Sequence, residues 1–289
     1  VALNQGADTS SSAAFNLAHS GMTGTQAFSS VGGGAARAKT GSHVTLNSLN
    51  FSVGIGNNMP TAYGTFSIGG AFEAGYGRFK NHFDAGSADP YIKKSGHVSY
   101  YGVALLGNME FTNLWHVNAA LRYGRMSSKV SDGLYDESAG RKYDIDIGAN
   151  YFGVELGGGK VIKLNDKDSI DLYGKYFFLY QKGDNFSTSA ETYKLDAVKS
   201  HRLRLAGRYM HAFTPKTSLY AGLGLEHEFD GKSKLKINTN SGTFNAEPSK
   251  QDGTRAFAEV GVRIVPEGNK GFNFDLGIKG LCGEKYRGA

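Results

Sequence analysis

The chain has 289 residues, including 41 Gly, 18 Phe, 16 Tyr and only 5 Pro, a composition typical of many strands joined by turns. Its 32 basic and 26 acidic residues are scattered rather than clustered, which argues against a nucleic-acid-binding protein. The single cysteine, Cys282, excludes an internal disulfide framework and most thiolate metal sites, and the lack of an 18-residue apolar run excludes a transmembrane helix.

The N-terminal segment differs from the rest of the chain. It starts with VALNQ, without an initiator Met or a signal peptide, so we expect the targeting segment of this domain to lie upstream. Residues 8 to 30 are rich in Ser, Thr and Ala, and Asp8 or Thr9 could cap a helix. We predict a slender helix near residues 10 to 27. A disordered linker is the alternative.

From about residue 31 the sequence alternates between apolar and polar residues. In TSLYAGLGLEHEF, residues 217 to 229, every odd position from Leu219 to Leu225 is apolar, whereas the even positions include Gly222, Gly224 and Glu226. Strict alternation of this kind indicates a β-strand with two different faces. The pattern predicts eleven strands, the first near residues 31 to 40 and the eleventh near 271 to 285.

The connections between these strands also alternate, in length. Longer polar segments separate short turns, which fall at NNMPTA, EFTN, LNDKD, TPKT and PEGNKG. Long strands with short turns at one end and long loops at the other are typical of a membrane barrel. The predicted fold class is therefore all-β, an up-and-down antiparallel transmembrane β-barrel.

The polar phase of the strands carries charges of both signs, interleaved with small residues. In a membrane barrel this phase faces the lumen and the apolar phase faces lipid. The predicted lumen-lining residues are Glu73, Arg122, Glu155, Asp171, Lys175, Arg202, Arg204, Arg208, Glu226, Glu228, Glu259, Arg263, Asp275 and Lys279. We predict that Arg202 or Arg204 pairs with Glu226 or Glu228, and that the glycines leave room for long side chains or a plug. A soluble barrel with an apolar core is the alternative.

Aromatic residues beside the short turns suggest a membrane-interface girdle. The predicted members are Phe111, Trp115, Phe213, Tyr220, Phe272 and Phe274.

No catalytic, cofactor-binding or metal site is predicted. A hydrolase would need Ser and His on the same face of neighbouring strands, but Ser200 and His201 are adjacent and face opposite ways. The eight His lack metal-ligand spacing, and GGGKV lacks the pattern of a phosphate loop.

Several motifs, in order along essentially the whole chain, resemble the β-barrel translocator domain of bacterial autotransporters. They are GGGAARAKTGSHV, YGVALLGNME, YFGVELGGGKVIKL, SIDLYGKYFFLYQKGDNF, AVKSHRLRLAGRYMHAF, SLYAGLGLEHEFDG and DLGIKGLCGEKYRG. The resemblance implies a twelve-stranded barrel in the bacterial outer membrane, with an N-terminal helix in the lumen, that anchors a passenger and helps to export it. Its implied partners are outer-membrane lipid, the passenger and the barrel-assembly machinery, and we expect a monomer.

Two features depart from the family pattern. Family members end in a further strand that closes with an aromatic residue, whereas this chain stops at EKYRGA. We therefore predict a linker and pore-threading helix over residues 1–30, and a barrel over 31–289 with a one-strand gap between its first and eleventh strands. Only Asn4, followed by Gln5, precedes the helix where self-cleaving members carry an Asn pair, so self-cleavage is not expected.

Two other functions remain open at this point. A general diffusion porin would keep an open lumen, constricted by loops rather than by a helix. An outer-membrane lipase is the third possibility and would show esterase activity.

Overall fold

The computed structural model describes residues 1–18, 23–40, 42–82, 95–136, 140–188, 191–239, 241–245, 249–264 and 274–288. The helix α1 spans Ala2–Ala18, and the long wall strands are β1 (Gly24–Thr40), β2 (Ser42–Thr61), β3 (Gly64–His82), β4 (Ser95–Phe111), β5 (Trp115–Asp136), β6 (Arg141–Lys163), β7 (Asp168–Gln181), β10 (Val198–Thr214), β11 (Thr217–Glu228), β16 (Gly253–Ile264) and β17 (Phe274–Gly283). Shorter strands are β8 (Asp184–Ser187), β9 (Glu191–Leu195), β12 (Lys232–Ser233), β13 (Leu235–Thr239), β14 (Gly242–Asn245), β15 (Ser249–Lys250) and β18 (Tyr286–Gly288). Among the described residues, no helix has the length and apolarity that a membrane crossing requires.

The wall is a closed antiparallel barrel in which the long strands follow one another in chain order. Around the barrel the order is β1, β2, β3, β4, β5, β6, β7, β10, β11, β16, β17 and β18. The predicted up-and-down barrel and its eleven long strands are confirmed in the described residues.

The two ends of the barrel differ as the connection lengths predicted. Residues 62–63, 112–114, 164–167 and 215–216 make short turns at one end, which we call the turn side. At the other end, the loop side, several segments predicted as loops are β structure instead. The β5–β6 ladder continues as far as the pair Asp136↔Arg141, and β8, β9, β13 and β14 form a separate four-stranded sheet. Backbone pairing therefore extends well past the apolar part of the wall.

The apolar phase lies on the outside. Leu223, Leu225 and Val260 are 70%, 57% and 56% exposed, while Val262 is half-buried. The buried apolar core instead lies between α1 and the inner wall, where Leu17 and Phe28 pack with small alanines. The apolar-out arrangement is thus confirmed, and the soluble barrel with a central apolar core is wrong.

The helix and the first strand begin earlier than predicted. α1 starts at Ala2 rather than near residue 10 and ends at Ala18 rather than near residue 27, and β1 starts at Gly24 rather than near residue 31. Asp8 and Thr9 lie in the middle of α1, so neither is its N-cap. Residues 25 to 30 continue the alternation of β1, with Phe28 fully buried against the helix side of the wall. Packing of Phe28 thus favours strand over helix in this segment.

The seam contains a strand that the sequence pattern did not indicate. Within EKYRGA, Tyr286–Gly288 forms β18, which pairs with residues 36 to 38 of β1 and residues 281 to 282 of β17. The backbone of Lys39 also donates a hydrogen bond to the Lys285 carbonyl at 2.8 Å. The prediction of a one-strand gap is therefore wrong: over this length a short twelfth strand, antiparallel to both neighbours, fills it.

The predicted aromatic girdle is correct at two positions and wrong at a third. Trp115 and Phe213 are 50% and 69% exposed on the turn side. Tyr220 belongs to the inward phase and donates a hydrogen bond to Asp275 at 2.9 Å. Phe111 is half-buried, and Phe272 and the side chain of Phe274 lie outside the described residues.

Candidate functional site: a helix held in the barrel lumen

The lumen is occupied by α1, whose small side chains let it fit inside the barrel. Ser10 and Ala13 are fully buried. Where the helix carries a larger side chain, Leu17, the wall provides glycines. A Cβ added to Gly56 or Gly69 would lie 2.5 Å or 2.8 Å from Leu17 Cδ2, too close for any real side chain. The glycines of the inward phase therefore make space for the helix, as well as for long side chains of the wall.

Asp8 forms the main ionic contact between the helix and the wall. Arg204 Nη2 lies 2.7 Å from Asp8 Oδ1, and Lys279 Nζ lies 3.6 Å from Oδ2. Arg202 Nη1 is 4.0 Å away. One carboxylate of α1 thus faces cations from β10 and β17, so it connects the helix to two separate parts of the wall.

Glu226 organises the arginines behind Asp8. It is fully buried and accepts hydrogen bonds from Arg204 Nε at 2.9 Å and from Arg255 Nε at 2.8 Å. Arg202 Nη1 lies 3.3 Å from the same carboxylate. The predicted pairing of Arg202 or Arg204 with Glu226 is confirmed. Glu226 holds the guanidinium of Arg204 in place to meet Asp8.

Two serines of the helix meet carboxylates on the other side of the barrel. Ser10 donates to Glu73 at 2.5 Å, and Ser11 donates to Glu155 at 2.9 Å. Glu73 also accepts from Arg122 Nε at 2.8 Å, and Lys175 Nζ lies 2.9 Å from Glu155. Because each buried carboxylate has a cationic neighbour as well as a serine donor, its burial is compensated.

The ends of α1 are held through backbone and aromatic contacts. Asn58 Nδ2 donates to the Leu17 carbonyl at 2.9 Å, which satisfies one of the free acceptors at the helix C-terminus. Near that end, the Phe15 ring lies 4.0 Å from the Arg263 guanidinium and 4.8 Å from that of Arg208. Arg122 Nη1 donates to the Leu3 carbonyl at 3.3 Å near the N-terminus. The contacts run along the whole helix.

The remaining predicted lumen residues lie in separate pairs. Asp171 lies 2.8 Å from His116 Nε2, Arg208 lies 2.8 Å from Glu259, and Arg263 lies 3.7 Å from Asp275. Among the described residues, Glu228 has no ion pair with an arginine; it accepts hydrogen bonds from Ser200 at 2.5 Å and from the His201 backbone at 2.8 Å. All fourteen predicted positions are buried or half-buried in the described structure.

The sequence pattern missed several residues that complete this network. Arg255 is not among the predicted lumen residues, although residues 255, 257 and 259 continue the inward alternation of their strand. Asp8 was interpreted as a helix cap. Tyr100 and Tyr151 follow the inward phase too, and Tyr151 donates to Glu73 at 2.5 Å. Only their position in the alternation along the strand distinguishes these two tyrosines from lipid-facing ones.

Residues 22–277 match the model of the family described as Autotransporter beta-domain. The chain belongs to this family. As an autotransporter translocator domain, it is an outer-membrane barrel that anchors a linked passenger domain and takes part in its export.

Solved structures show the same fold for this translocator domain. The translocator domain of NalP from Neisseria meningitidis has a TM-score of 0.71 at 15% identity, over 99% of this chain and 91% of that chain. The transport unit of AIDA-I from Escherichia coli has a TM-score of 0.67 at 11% identity, over 98% of this chain and 95% of that chain. The β domain of BrkA from Bordetella has a TM-score of 0.58 at 14% identity, over 92% of this chain and 97% of that chain. A search of curated proteins found no match.

Proposed function

We propose that α1 is the tether between the barrel and an exported passenger, and that the lumen network holds this tether in place after export. The observation that carries the proposal is the direction of the helix. Val1 packs against the cluster formed by Ala2, Leu46 and Val98, near the loop side of the wall strands. At the other end Leu17 contacts Asn58, near the turn side.

The direction of α1 determines on which side of the membrane a segment that precedes Val1 would lie. In outer-membrane barrels the short turns face the periplasm and the long loops face the exterior. A segment that precedes Val1 therefore leaves the lumen on the exterior side. The helix C-terminus, which leads into β1, lies on the periplasmic side.

An accessibility experiment tests this orientation. An epitope tag fused ahead of Val1 should be removed when protease is added to intact cells. The same tag inserted between Asn165 and Asp166, in the β6–β7 turn, should be protected until the outer membrane is permeabilised. The proposal would be contradicted if, in intact cells, the N-terminal tag were protected from protease and the turn tag were cleaved.

The occupied lumen does not favour a diffusion porin. α1 fills the interior between Glu73 on one side and Arg204 on the other, and each of these contacts it directly. We propose that solutes do not pass while α1 is in place, and that the barrel has no catalytic role. The absence of a catalytic role would be contradicted if the purified barrel had esterase activity and lost it when a buried residue such as His116 was mutated.

We further propose that this barrel is inserted as a monomer by the outer-membrane barrel-assembly machinery, and that lipid covers its outer face. Backbone groups at an open strand edge have no partner in the hydrocarbon core, so the wall must pair its strands as it enters. Depleting the assembly machinery should lower the amount of heat-modifiable barrel in the membrane fraction. Unchanged insertion would contradict the proposed dependence.

A further inference from the structure

A basic patch lies on the outer face of β1 to β5, immediately on the loop side of the apolar surface. It consists of Arg37, Arg78, Lys80, His97 and Lys129. Residues opposite one another in an antiparallel ladder share a face. Arg78 is opposite His97, which is opposite Lys129, and Lys80 is opposite Thr45, which is opposite Arg37. The register therefore places five basic side chains from four strands on one continuous surface.

Among the described residues, the patch has few acidic partners. Lys129 pairs with Asp146 at 2.7 Å, at one edge. In the part of the chain that the structure describes, no ion pair is found for Arg78 or Lys80, and both are exposed. Like charges on neighbouring strands repel each other. This arrangement is most favourable when an anion lies over it.

The outer surface next to the patch, on its turn side, is apolar. Leu49, Phe51, Tyr76 and Tyr101 are 59%, 39%, 48% and 58% exposed on the same face. The Tyr76 ring stacks on the His97 ring, with centroids 6.0 Å apart, at the boundary between the two surfaces. A ligand that covers both must combine acyl chains with an anionic headgroup.

We propose that this face binds a phosphorylated lipid of the outer leaflet. Its phosphates contact Arg78, Lys80 and their basic neighbours, and its acyl chains lie along Leu49, Phe51 and Tyr101. Arg and Lys are the side chains best suited to phosphate, and basic residues beside a membrane surface are attracted to anionic lipids. Hydroxyls of Thr45, Ser95 and Ser99 lie on the same face and supply further donors. The inference rests on the proposed orientation, in which the loop side faces the exterior, but it is independent of how the passenger is exported.

Native mass spectrometry of the full chain, folded in detergent, tests the proposal. Three probes are compared: lipid A with both phosphates, dephosphorylated lipid A with the same acyl chains, and inorganic phosphate. We expect the bisphosphorylated lipid to stay bound. The affinity for the dephosphorylated lipid should be lower by a factor of about ten or more. Equal binding of the two lipids would overturn the proposal. Displacement of the lipid by an equal concentration of inorganic phosphate would also overturn it, because the site would then be a simple anion site.

A pair of double variants locates the site. R78Q/K80Q should weaken binding of the bisphosphorylated lipid by about tenfold. K163Q/K167Q removes the same charge from exposed positions on the turn side and should leave binding unchanged. Equal effects of both double variants, or no effect of the first, would refute the location. Heat-modifiable migration verifies that each variant is folded. If R78Q/K80Q does not fold, R78Q alone is compared with K163Q, and the comparison of the two lipids on the wild-type chain stands by itself.

Discussion

At the scale of single residues, the lumen shows how a barrel interior accommodates charges without an open pore. Glu226 is fully buried, and Arg202, Arg204 and Arg255 surround its carboxylate. Removing one member of a buried pair leaves an uncompensated charge, which costs more than the pair contributes. The charges in the lumen thus depend on one another.

A double-mutant cycle measures this dependence for Arg204 and Glu226. R204M or E226Q alone should lower the free energy of unfolding by about 3 kcal/mol, because each removes one charge from a buried cluster and leaves the remaining charges less well compensated. The two effects should be non-additive by about 1–3 kcal/mol. Urea unfolding of the folded barrel in detergent is the measurement. A coupling below about 0.5 kcal/mol would show that the contact is energetically unimportant.

Asp8 is the residue at which the helix and the arginines meet. D8N removes the charge that faces Arg204 and Lys279, so α1 should leave the lumen more often. We expect more frequent large openings in planar-bilayer recordings than for the wild type. D166N, an exposed acid in the β6–β7 turn, is the matched control. Identical opening frequencies for D8N and wild type would argue against a holding role for Asp8.

At the scale of elements, α1 depends on the barrel for its conformation. Its sequence, ALNQGADTSSSAAFNLA, contains Gly6, three Ser and one Thr, which are weak helix formers. Isolated helices of this length are marginal in water. The side-chain contacts of Ser10, Ser11 and Asp8 with the wall stabilise it instead.

Deleting residues 1–18 should therefore empty the lumen without unfolding the wall, whose backbone pairing does not involve α1. Planar-bilayer recordings should change from a mostly closed state to sustained conductance. A variant with Asn165 and Asp166 replaced by Gly-Ser serves as a control for disturbance of the barrel rim. Large conductance of the intact chain, unchanged by the deletion, would contradict an occluding helix.

At the scale of the whole molecule, the apolar outer face makes the bilayer part of the structure. An arginine at the lipid-facing midplane of a barrel costs about 2–4 kcal/mol, and close to the interface about 0–1 kcal/mol. L223R should therefore lower stability in lipid vesicles by the larger amount, and F229R, nearer the loop side, by the smaller. Equal effects would mean that the two positions do not differ in membrane depth.

The arrangement of the wall strands was predictable from particular stretches of sequence. Residues 217 to 229 alternate strictly, and their charges and glycines by themselves indicate which phase faces the lumen. The turns LNDKD and TPKT lie where they were predicted, since Gly, Pro, Asn and Asp favour turns for local reasons. Alternation and turn chemistry are properties of neighbouring residues, so the sequence determined the fold class, the strand faces and the inward charges.

Other features were decided only by contacts between distant residues. α1 ends at Ala18 and β1 starts at Gly24 because Leu17 and Phe28 pack against the inner wall, which local propensity does not reveal. Asp8 lies 196 positions from Arg204, and no local pattern distinguishes a helix cap from an ion-pair partner at that distance. β18 pairs with β1 from the opposite end of the chain. Local alternation thus set which way each side chain points, and closure of the barrel decided which charges meet inside it.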